Sequence, residues 1–447
     1  MSSSSSSLKL FTIVLLIIFF FCTPSNSAGV PKDKTFKYEI ASGITNIDVE
    51  YAADYRPIDI STGPFQLGFY NTTPNAATFA MKLGRPRSSS VRRWVWEANR
   101  GKPVKEGATI SFGTDGNLVL AEADGQVVWQ TATANKGVVD CQLLPNGNWV
   151  LLDSKGKFVW QSFDYPTDTL LIGQSIRAGG VNKLVSRASN QENSNGAYSL
   201  VLEPNKGLSW FYTIPNSPNP LLYYSSADWD NRFESDDFVV PGESIKFDMQ
   251  TEIDPSSGVL TRSYLSFGRT LAVPSYNATF SFLRLGIDGR LIIFTYNDHV
   301  NSSAWLEVFS QFTNDVRFVE DNDEAQLPEK CGKFGLCSKN QCVACPTEKG
   351  LLGWSEECEL KKVGSCKTGD FHYYKLEGVE HYISKFNKGS SMKESDCLKK
   401  CSSDCKCLGY FYFRESESST CWNVDDIKTL KKVDNKKHVG YIKVSNK

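Results

Sequence analysis

The chain has 447 residues, enough for roughly two to four ordinary domains. Hydrophobic residues make up 40% and charged residues 22%, so sizeable cores can be buried and general disorder is excluded. The formal net charge of -1 gives no electrostatic reason to expect nucleic acid or an anionic membrane surface as a partner.

Lys9 precedes a run from Leu10 to Cys22 that is apolar apart from Thr12, and small residues follow at Ser25, Ser27 and Ala28. A basic start, a short apolar stretch and small residues at the exit describe a secretory signal peptide over 1–27. The competing reading is a membrane anchor, but the run is shorter than the ~20 residues a spanning helix needs. No later stretch is apolar enough to span, and the end of the chain, Lys443 to Lys447, is polar. The expectation is a soluble extracellular protein without a membrane span.

Cysteine usage agrees with that address. Removing Cys22 with the signal peptide leaves 12 of the 13 cysteines; 11 fall between Cys331 and Cys421, and Cys141 stands alone upstream. Such density in a secreted chain predicts disulfides. A zinc site fits poorly, because only four histidines are present. Three N-glycosylation sequons, at Asn71, Asn277 and Asn301, are each expected on surface loops.

From Phe36 to Ile176 short Val-, Leu-, Phe- and Trp-rich runs alternate with Asp-Gly, Asn-Gly and Lys-Gly turns, which predicts strands. Asp115–Thr131 (DGNLVLAEADGQVVWQT) and Asn146–Ser162 (NGNWVLLDSKGKFVWQS) lie 31 residues apart and share eight identities. A fainter copy ends at Val95-Trp96. One such hairpin cannot bury its apolar face alone, whereas three related by a pseudo-threefold axis can pool their tryptophans. An all-β prism or barrel follows. Trp96, Trp129 and Trp160 read as shared core rather than as sugar platforms, because they recur at equivalent positions.

Phe65-Gln66-Leu67-Gly68-Phe69-Tyr70, the run from Trp94 to Arg100 (WVWEANR), Asp115–Leu120 (DGNLVL) and Trp160–Leu171 (WQSFDYPTDTLL) occur in that order. Together they resemble the bulb-type (monocot mannose-binding) lectin domain of S-locus glycoproteins. The resemblance implies a mainly β protein: two tandem β-prisms, then a small disulfide-rich EGF-like module and an α+β apple/PAN domain. The implied boundaries are 28–179, 180–326, 327–360 and 361–447. Leu285–Phe294 echoes the turn-strand unit in the second prism, where periodicity alone supports a β-sandwich or prism. Cys331–Cys337 and Cys342–Cys345 resemble a shortened EGF-like module lacking its usual first cysteine. Cys366, Cys397, Cys401, Cys405, Cys407 and Cys421 resemble the apple pattern, with a helix expected over Met392–Lys400 and a buried strand over Leu408–Phe413. In that pattern two bridges pin the helix, which implies Cys397–Cys421 and Cys401–Cys407 and leaves the other pairings and Cys141 open.

The family's mannose motif is QxDxNxVxY. Asp115, Asn117 and Val119 are kept here as carbohydrate-binding candidates, but Gly113 stands for Gln and Ala121 for Tyr. The second copy keeps Asn148 and Val150, with Leu144, Asn146 and Leu152 elsewhere. Losing two hydrogen-bonding side chains, at ~1 kcal/mol or more each, weakens such a site at least about tenfold. The competing reading is a turn whose side chains cap their own backbone, and for mannose that reading is preferred. No nucleophile, metalloprotease or nucleotide-binding motif is present, and His299, His372, His381 and His438 read as surface or structural residues. No enzyme, cofactor or metal is expected.

The chain ends after the apple-like segment, so it is similar to the kinase-less members of the family, the epidermis-specific secreted glycoproteins of plants. The resemblance implies a cell-wall or apoplastic protein binding glycans or secreted glycoproteins through a degenerate mannose site. The alternative is a wall protein without sugar binding, acting through the apple domain.

Overall fold

The computed structural model describes residues 29–40, 49–85, 91–204, 206–215, 217, 219–226, 243–297, 300, 304–313, 323–360, 363, 367, 369–415 and 419–446. The expected signal peptide, Asn301, His299 and Cys366 lie outside the described residues. Strands dominate, and the single α-helix among the described residues is Glu394–Ser403.

The first prism has three antiparallel sheets. Asp54–Thr62, Phe65–Asn71, Thr78–Leu83 and Arg93–Glu97 form one. Phe36–Glu39 joins Thr109–Phe112, Leu118–Ala121 and Val127–Gln130 in another. Val138–Leu143, Trp149–Asp153 and Phe158–Gln161 form the third. The sequence repeat sets a shared register. Trp96 lies opposite Met81, Trp129 opposite Leu120 and Trp160 opposite Leu151, so each tryptophan enters the core from the last strand of its sheet. The three indoles form a triangle, with centroids 6.0 Å (Trp96–Trp129), 6.2 Å (Trp96–Trp160) and 5.9 Å (Trp129–Trp160) apart and interplanar angles of 72–75°. Trp149 meets two of them edge-on. Edge-to-face packing lets one aromatic from each sheet fill the axis without a void.

Each Asp/Asn-Gly-Asn turn is fixed by its glycine. Gly147 has φ +85°, and a Cβ there would come within 2.6 Å of both Leu171 and Phe65. No other residue combines that backbone conformation with so close an approach. A second device recurs: an amide at the start of the strand donates to a side-chain oxygen just past the end of a neighbouring strand. Leu118 N donates to Thr131 Oγ1 (3.1 Å), Trp149 N to Ser162 Oγ (2.9 Å), Leu208 N to Ser226 Oγ (2.8 Å) and Leu291 N to Gln311 Oε1 (3.3 Å).

The second prism has three four-stranded sheets. Thr169–Leu171 pairs with Ser281–Leu285, followed by Leu291–Tyr296 and Trp305–Ser310. Ser175–Arg177 pairs with Ser244–Ile253, followed by Leu260–Phe267 and Thr270–Ala272, and Lys183–Arg187 pairs with Asn195–Glu203, followed by Gly207–Tyr212 and Leu221–Ser225. Two strands on the N-terminal side of the boundary at 179 therefore complete sheets of the second prism. Their backbone groups find ladder partners there, and Leu170 and Ile176 enter its core.

The cysteine-rich region carries two five-stranded sheets. Gly350–Gly353, Gln341–Thr347, Phe334–Ser338, Lys428–Lys432 and Val379–His381 form one, in that order. Phe371–Glu377, His438–Ser445, Gly409–Phe413, Thr420–Val424 and Ser390–Ser391 form the other. The first sheet crosses the boundary at 360, because Phe334–Cys337 runs parallel to Lys428–Lys431. Bonds join Cys331 to Cys342, Cys345 to Cys358, Cys397 to Cys421 and Cys401 to Cys407. Cys405 is also disulfide-bonded, and Cys141 and Cys337 are free thiols. The helix begins two residues later than Met392, at Glu394. Lys393 is extended (φ -70°, ψ 151°), and Glu394 and Asp396 place negative charge at the helix's positive end. Cys397 and Cys401 are its buried residues and face the strand Gly409–Phe413.

Candidate carbohydrate-binding site

Along Leu118–Ala121 the side chains of Leu118 and Leu120 enter the core, so Val119 and Ala121 face outward with the turn. Asp115 is exposed, and its Oδ1 accepts from Asn117 N (3.2 Å). Asn117 is only 7% exposed, and its amide is spent inside the fold. Nδ2 donates to Gln130 Oε1 (2.8 Å), while Oδ1 accepts from Thr131 Oγ1 (3.1 Å) and Thr133 N (3.0 Å). The second copy is built alike: Asn148 Nδ2 donates to Gln161 Oε1 (2.8 Å), and its Oδ1 accepts from Ser162 Oγ (3.3 Å) and Phe163 N (3.2 Å). The turn thus brings Asp115, Asn117 and Val119 to one face. It leaves for a ligand one Asp115 oxygen, one Asn117 N–H and the Val119 methyls. Gly113 and Ala121 add no polar group.

The other motif residues meet elsewhere, at the joint between the prisms. Arg100 Nε contacts Glu97 Oε2 (2.6 Å), its Nη2 contacts Asp168 Oδ2 (2.8 Å), and its Nη1 donates to Val185 O (2.8 Å) in the second prism. Arg187 Nη1 donates to Tyr70 Oη (2.5 Å) and lies 3.4 Å from Glu97, while Tyr70 Oη donates to Glu97. Arg284 pairs with Glu50 (2.7 Å) and donates to Thr169 Oγ1 (3.1 Å) and Trp94 O. Burial pushes the Asp168 carboxyl up, but Arg100 and Arg284 outweigh it and hold the group below the usual carboxylate range. Glu97, Arg100 and Asp168 come from the two most specific motif strings, so those strings encode an inter-prism lock. Glu50, Arg187 and Arg284 complete it without having been singled out from the sequence. The usable signal was Arg284 inside Ser281–Leu285, a strand buried at every position, since a charge there needs a partner.

Apolar contacts reinforce the joint. Phe282, Phe294 and Trp305 of the second prism pack on the first prism's core. Polar bonds cross it between Asn193 Nδ2 and Thr78 Oγ1 (2.7 Å) and between Thr72 Oγ1 and Gln191 O (2.5 Å).

The sequons differ in placement. Asn277 is exposed, and its Oδ1 accepts from Thr279 N (3.0 Å). Asn71, expected on a surface loop, instead ends a strand at 7% exposure, and its Nδ2 donates to Thr73 O (3.0 Å). Its backbone pairs with Asp54, and the next residue, Thr72, bonds across to Gln191 O.

His381 is fully buried, with Nε2 2.9 Å from Asp426 O and Nδ1 accepting from Ile383 N (3.3 Å); burial pushes it down to about 4. His372 lies 3.4 Å from Glu348, and His438 lies 3.0 Å from Glu380 and stacks on Phe413. No cluster of three or more metal-ligating side chains occurs among the described residues. No described helix is long and apolar enough to cross a membrane.

The repeated prism sheets, their tryptophan triangle and the Asp-Gly-Asn turn define a bulb-type lectin glycoprotein with a disulfide-rich C-terminal region. Residues 93–190 match the D-mannose binding lectin family. EP1-like glycoprotein 4 of Arabidopsis thaliana is 48% identical over 425 residues, covering 94% of this chain and 93% of that protein. The epidermis-specific secreted glycoprotein EP1 of Daucus carota is 50% identical over 365 residues, covering 78% and 92%. The chain belongs to this EP1-like family of bulb-lectin glycoproteins. A G-type lectin S-receptor-like serine/threonine-protein kinase of Arabidopsis thaliana is more distant, at 24% identity over 408 residues, 87% of this chain and 44% of the kinase. The two relatives of higher identity are named as glycoproteins.

Proposed function

We propose that the protein is a secreted glycoprotein of the plant cell wall and apoplast that binds carbohydrate weakly, on glycans or glycoproteins, and performs no catalysis. The observation carrying this reading is the rigid turn that presents Asp115 and Val119 outward beside a clamped Asn117, preformed but stripped of two partners. Each missing hydrogen bond withdraws ~1 kcal/mol, so affinity for mannose falls at least about tenfold. The carrot relative's secreted, epidermis-specific name supports an extracellular address. A glycan array with the purified protein, read at concentrations sensitive to millimolar affinity, tests it. Binding to at least one plant glycan is expected, and no binding to any sinks the carbohydrate reading.

A second reading rests on the cysteine-rich end, which we read as EGF-like and apple/PAN modules. Val343, Leu351 and Leu352 are 42%, 55% and 61% exposed on the edge hairpin there. Exposed apolar residues on a sheet edge mark protein contact. Capture of a wall protein that survives excess mannose and deglycosylation, and is lost in Leu351→Ser/Leu352→Ser, favours this reading over the first.

A further inference from the structure

The string Trp160–Leu171 is committed almost residue by residue to internal contacts. Ser162 Oγ accepts from Trp149 N (2.9 Å), Phe163 O accepts from Gln174 Nε2 (3.1 Å), and Asp168 pairs with Arg100 (2.8 Å). Thr169 to Leu171 are fully buried in a sheet of the second prism. Tyr165 is the exception. Its side chain is 53% exposed, an unusual position for a large aromatic in so committed a segment.

The ring is nevertheless held firmly. It stacks on Trp160 with centroids 5.7 Å apart and an interplanar angle of 17°. Trp160 is itself a corner of the tryptophan triangle, backed by Trp96, Trp129 and Trp149. The main chain of Tyr165 is pinned at both ends: its N donates to Ser162 O (2.9 Å), and its O accepts from Trp96 Nε1 (3.0 Å). Trp96 thus spends its only side-chain donor on orienting this residue. An exposed aromatic whose orientation is set in advance loses little entropy when something lies on its open side.

Polar groups stand next to it. Asp164 Oδ2 accepts from Gln161 Nε2 (3.0 Å), and Asp164 Oδ1 is 3.7 Å from Arg177 Nη2. Arg177 and Asp164 have side-chain exposures of 56% and 41%, so that long ion pair is wet and exchanges readily for other hydrogen bonds. A rigid exposed aromatic, preceded in the chain by Asp164 with its wet partner Arg177, offers a flat apolar surface together with a carboxylate and a guanidinium nearby. A pyranose has the complementary chemistry: a C–H face that stacks on a ring, and equatorial hydroxyls at its edge that take up hydrogen bonds.

We propose that Tyr165, backed by Trp160 and flanked by Asp164, Gln161 and Arg177, is a carbohydrate-binding platform for β-linked glucopyranosyl chains, separate from the Asp115 turn. All-equatorial β-glucosyl units present the flattest C–H faces, and an open platform of this kind takes an internal unit of a chain. The proposal rests on the carbohydrate-binding reading above and names a site and ligand class for it.

The experiment titrates the full secreted protein with cellohexaose and, separately, mannotetraose, following tryptophan emission and calorimetric heat. Wild type, Tyr165→Ala, Tyr165→Phe and Asp115→Ala are compared. The main-chain contacts of Tyr165 do not depend on its ring, so Tyr165→Ala retains the fold, which far-ultraviolet dichroism checks. Cellohexaose is expected to bind wild type, Tyr165→Phe within about threefold, and Tyr165→Ala at least tenfold more weakly. If Tyr165→Ala binds as wild type does while Asp115→Ala loses the ligand, the platform is refuted and the carbohydrate reading stands. If Tyr165→Phe falls as far as Tyr165→Ala, stacking is not the cause and the proposal fails. If wild type binds mannotetraose but not cellohexaose, the ligand class is overturned. If wild type binds no glycan of either kind or on the array, both readings fall.

Discussion

Arg100→Leu tests whether the inter-prism lock holds the molecule together. Arg100 has 7% side-chain exposure, and its partners Glu97 and Asp168 have 4% and 7%. Burial alone lowers the guanidinium's affinity for its proton, but Asp168 and Glu97 outweigh it and keep the group charged. Leucine keeps part of the volume and removes both ion pairs and the hydrogen bond to Val185 O (2.8 Å). Glu97 retains Tyr70 and Arg187, whereas Asp168 retains only Thr169 Oγ1 (2.7 Å) and the more distant Arg284 charge. The main cost is therefore one desolvated carboxylate without its ion pair, about 3–5 kcal/mol. At ~2–4 °C per kcal/mol for a body of this size, Tm falls by roughly 6–20 °C. Differential scanning calorimetry at pH 7 reads this directly, in low and high salt. The loss should be nearly salt-independent, because buried pairs are poorly screened. Replacing both partners, Arg100→Leu/Asp168→Leu, should restore at least half of the loss by removing the stranded charge. A single-mutant loss under about 1 kcal/mol, or a double mutant worse than the sum of the singles, would falsify the lock.

Two further outcomes follow from buried polar groups. His381 titrates near 6.5 when unfolded and is pushed down to about 4 in the fold, so its contribution is complete above 6.5 and is lost as pH falls toward 4. Asp426, raised to about 6 mainly by burial, acts oppositely: its contribution is complete at low pH and lost as pH rises through 6. The stability difference between wild type and His381→Gln, which cancels the Asp426 contribution, should shrink by about 3 kcal/mol from pH 7 to 4. A difference independent of pH would sink this assignment. For the sequons, peptide mass spectrometry after enzymatic deglycosylation should find Asn277 occupied and Asn71 bare, since the Asn71 amide is buried and already donating to Thr73 O (3.0 Å). A glycan recovered on Asn71 would show that its strand end opens.

The prism architecture was legible because the repeat writes the same three-dimensional task twice. Gly116/Gly147, Asn117/Asn148 and Trp129/Trp160 recur since each turn needs a positive φ, an amide clamp and a core aromatic. What stayed hidden depends on contacts between residues far apart in the chain. Thr169–Leu171 reads as the tail of the first repeat, yet its partner is Ser281–Leu285, over 100 residues later. The parallel pairing of Phe334–Cys337 with Lys428–Lys431 merges two regions that cysteine spacing alone divides, because spacing carries no information about which strands share a sheet. Asn71 matches a sequon whatever its burial, and its 7% exposure at a strand end is a tertiary property that local pattern does not reveal.

The two halves of the family's signature therefore serve different ends. The mannose motif has lost the side chains at 113 and 121, and the Asn117 that remains is clamped by Gln130, Thr131 and Thr133. Such a clamp stabilises the turn whether or not sugar binds, which explains how Asn117 and Asn148 share one geometry although the second copy lacks the aspartate. The strings WEANR and PTDT instead retain Glu97, Arg100 and Asp168, three charges of the inter-prism network. Replacing one of those charges strands its partners at a cost of several kcal/mol, whereas replacing a sugar-contact residue on the exposed face costs the fold almost nothing. The joint thus resists single substitutions far more strongly than the mannose face does. The lectin architecture therefore does not depend on the mannose face, and Tyr165, 53% exposed, is an aromatic that the inter-prism string leaves in solvent.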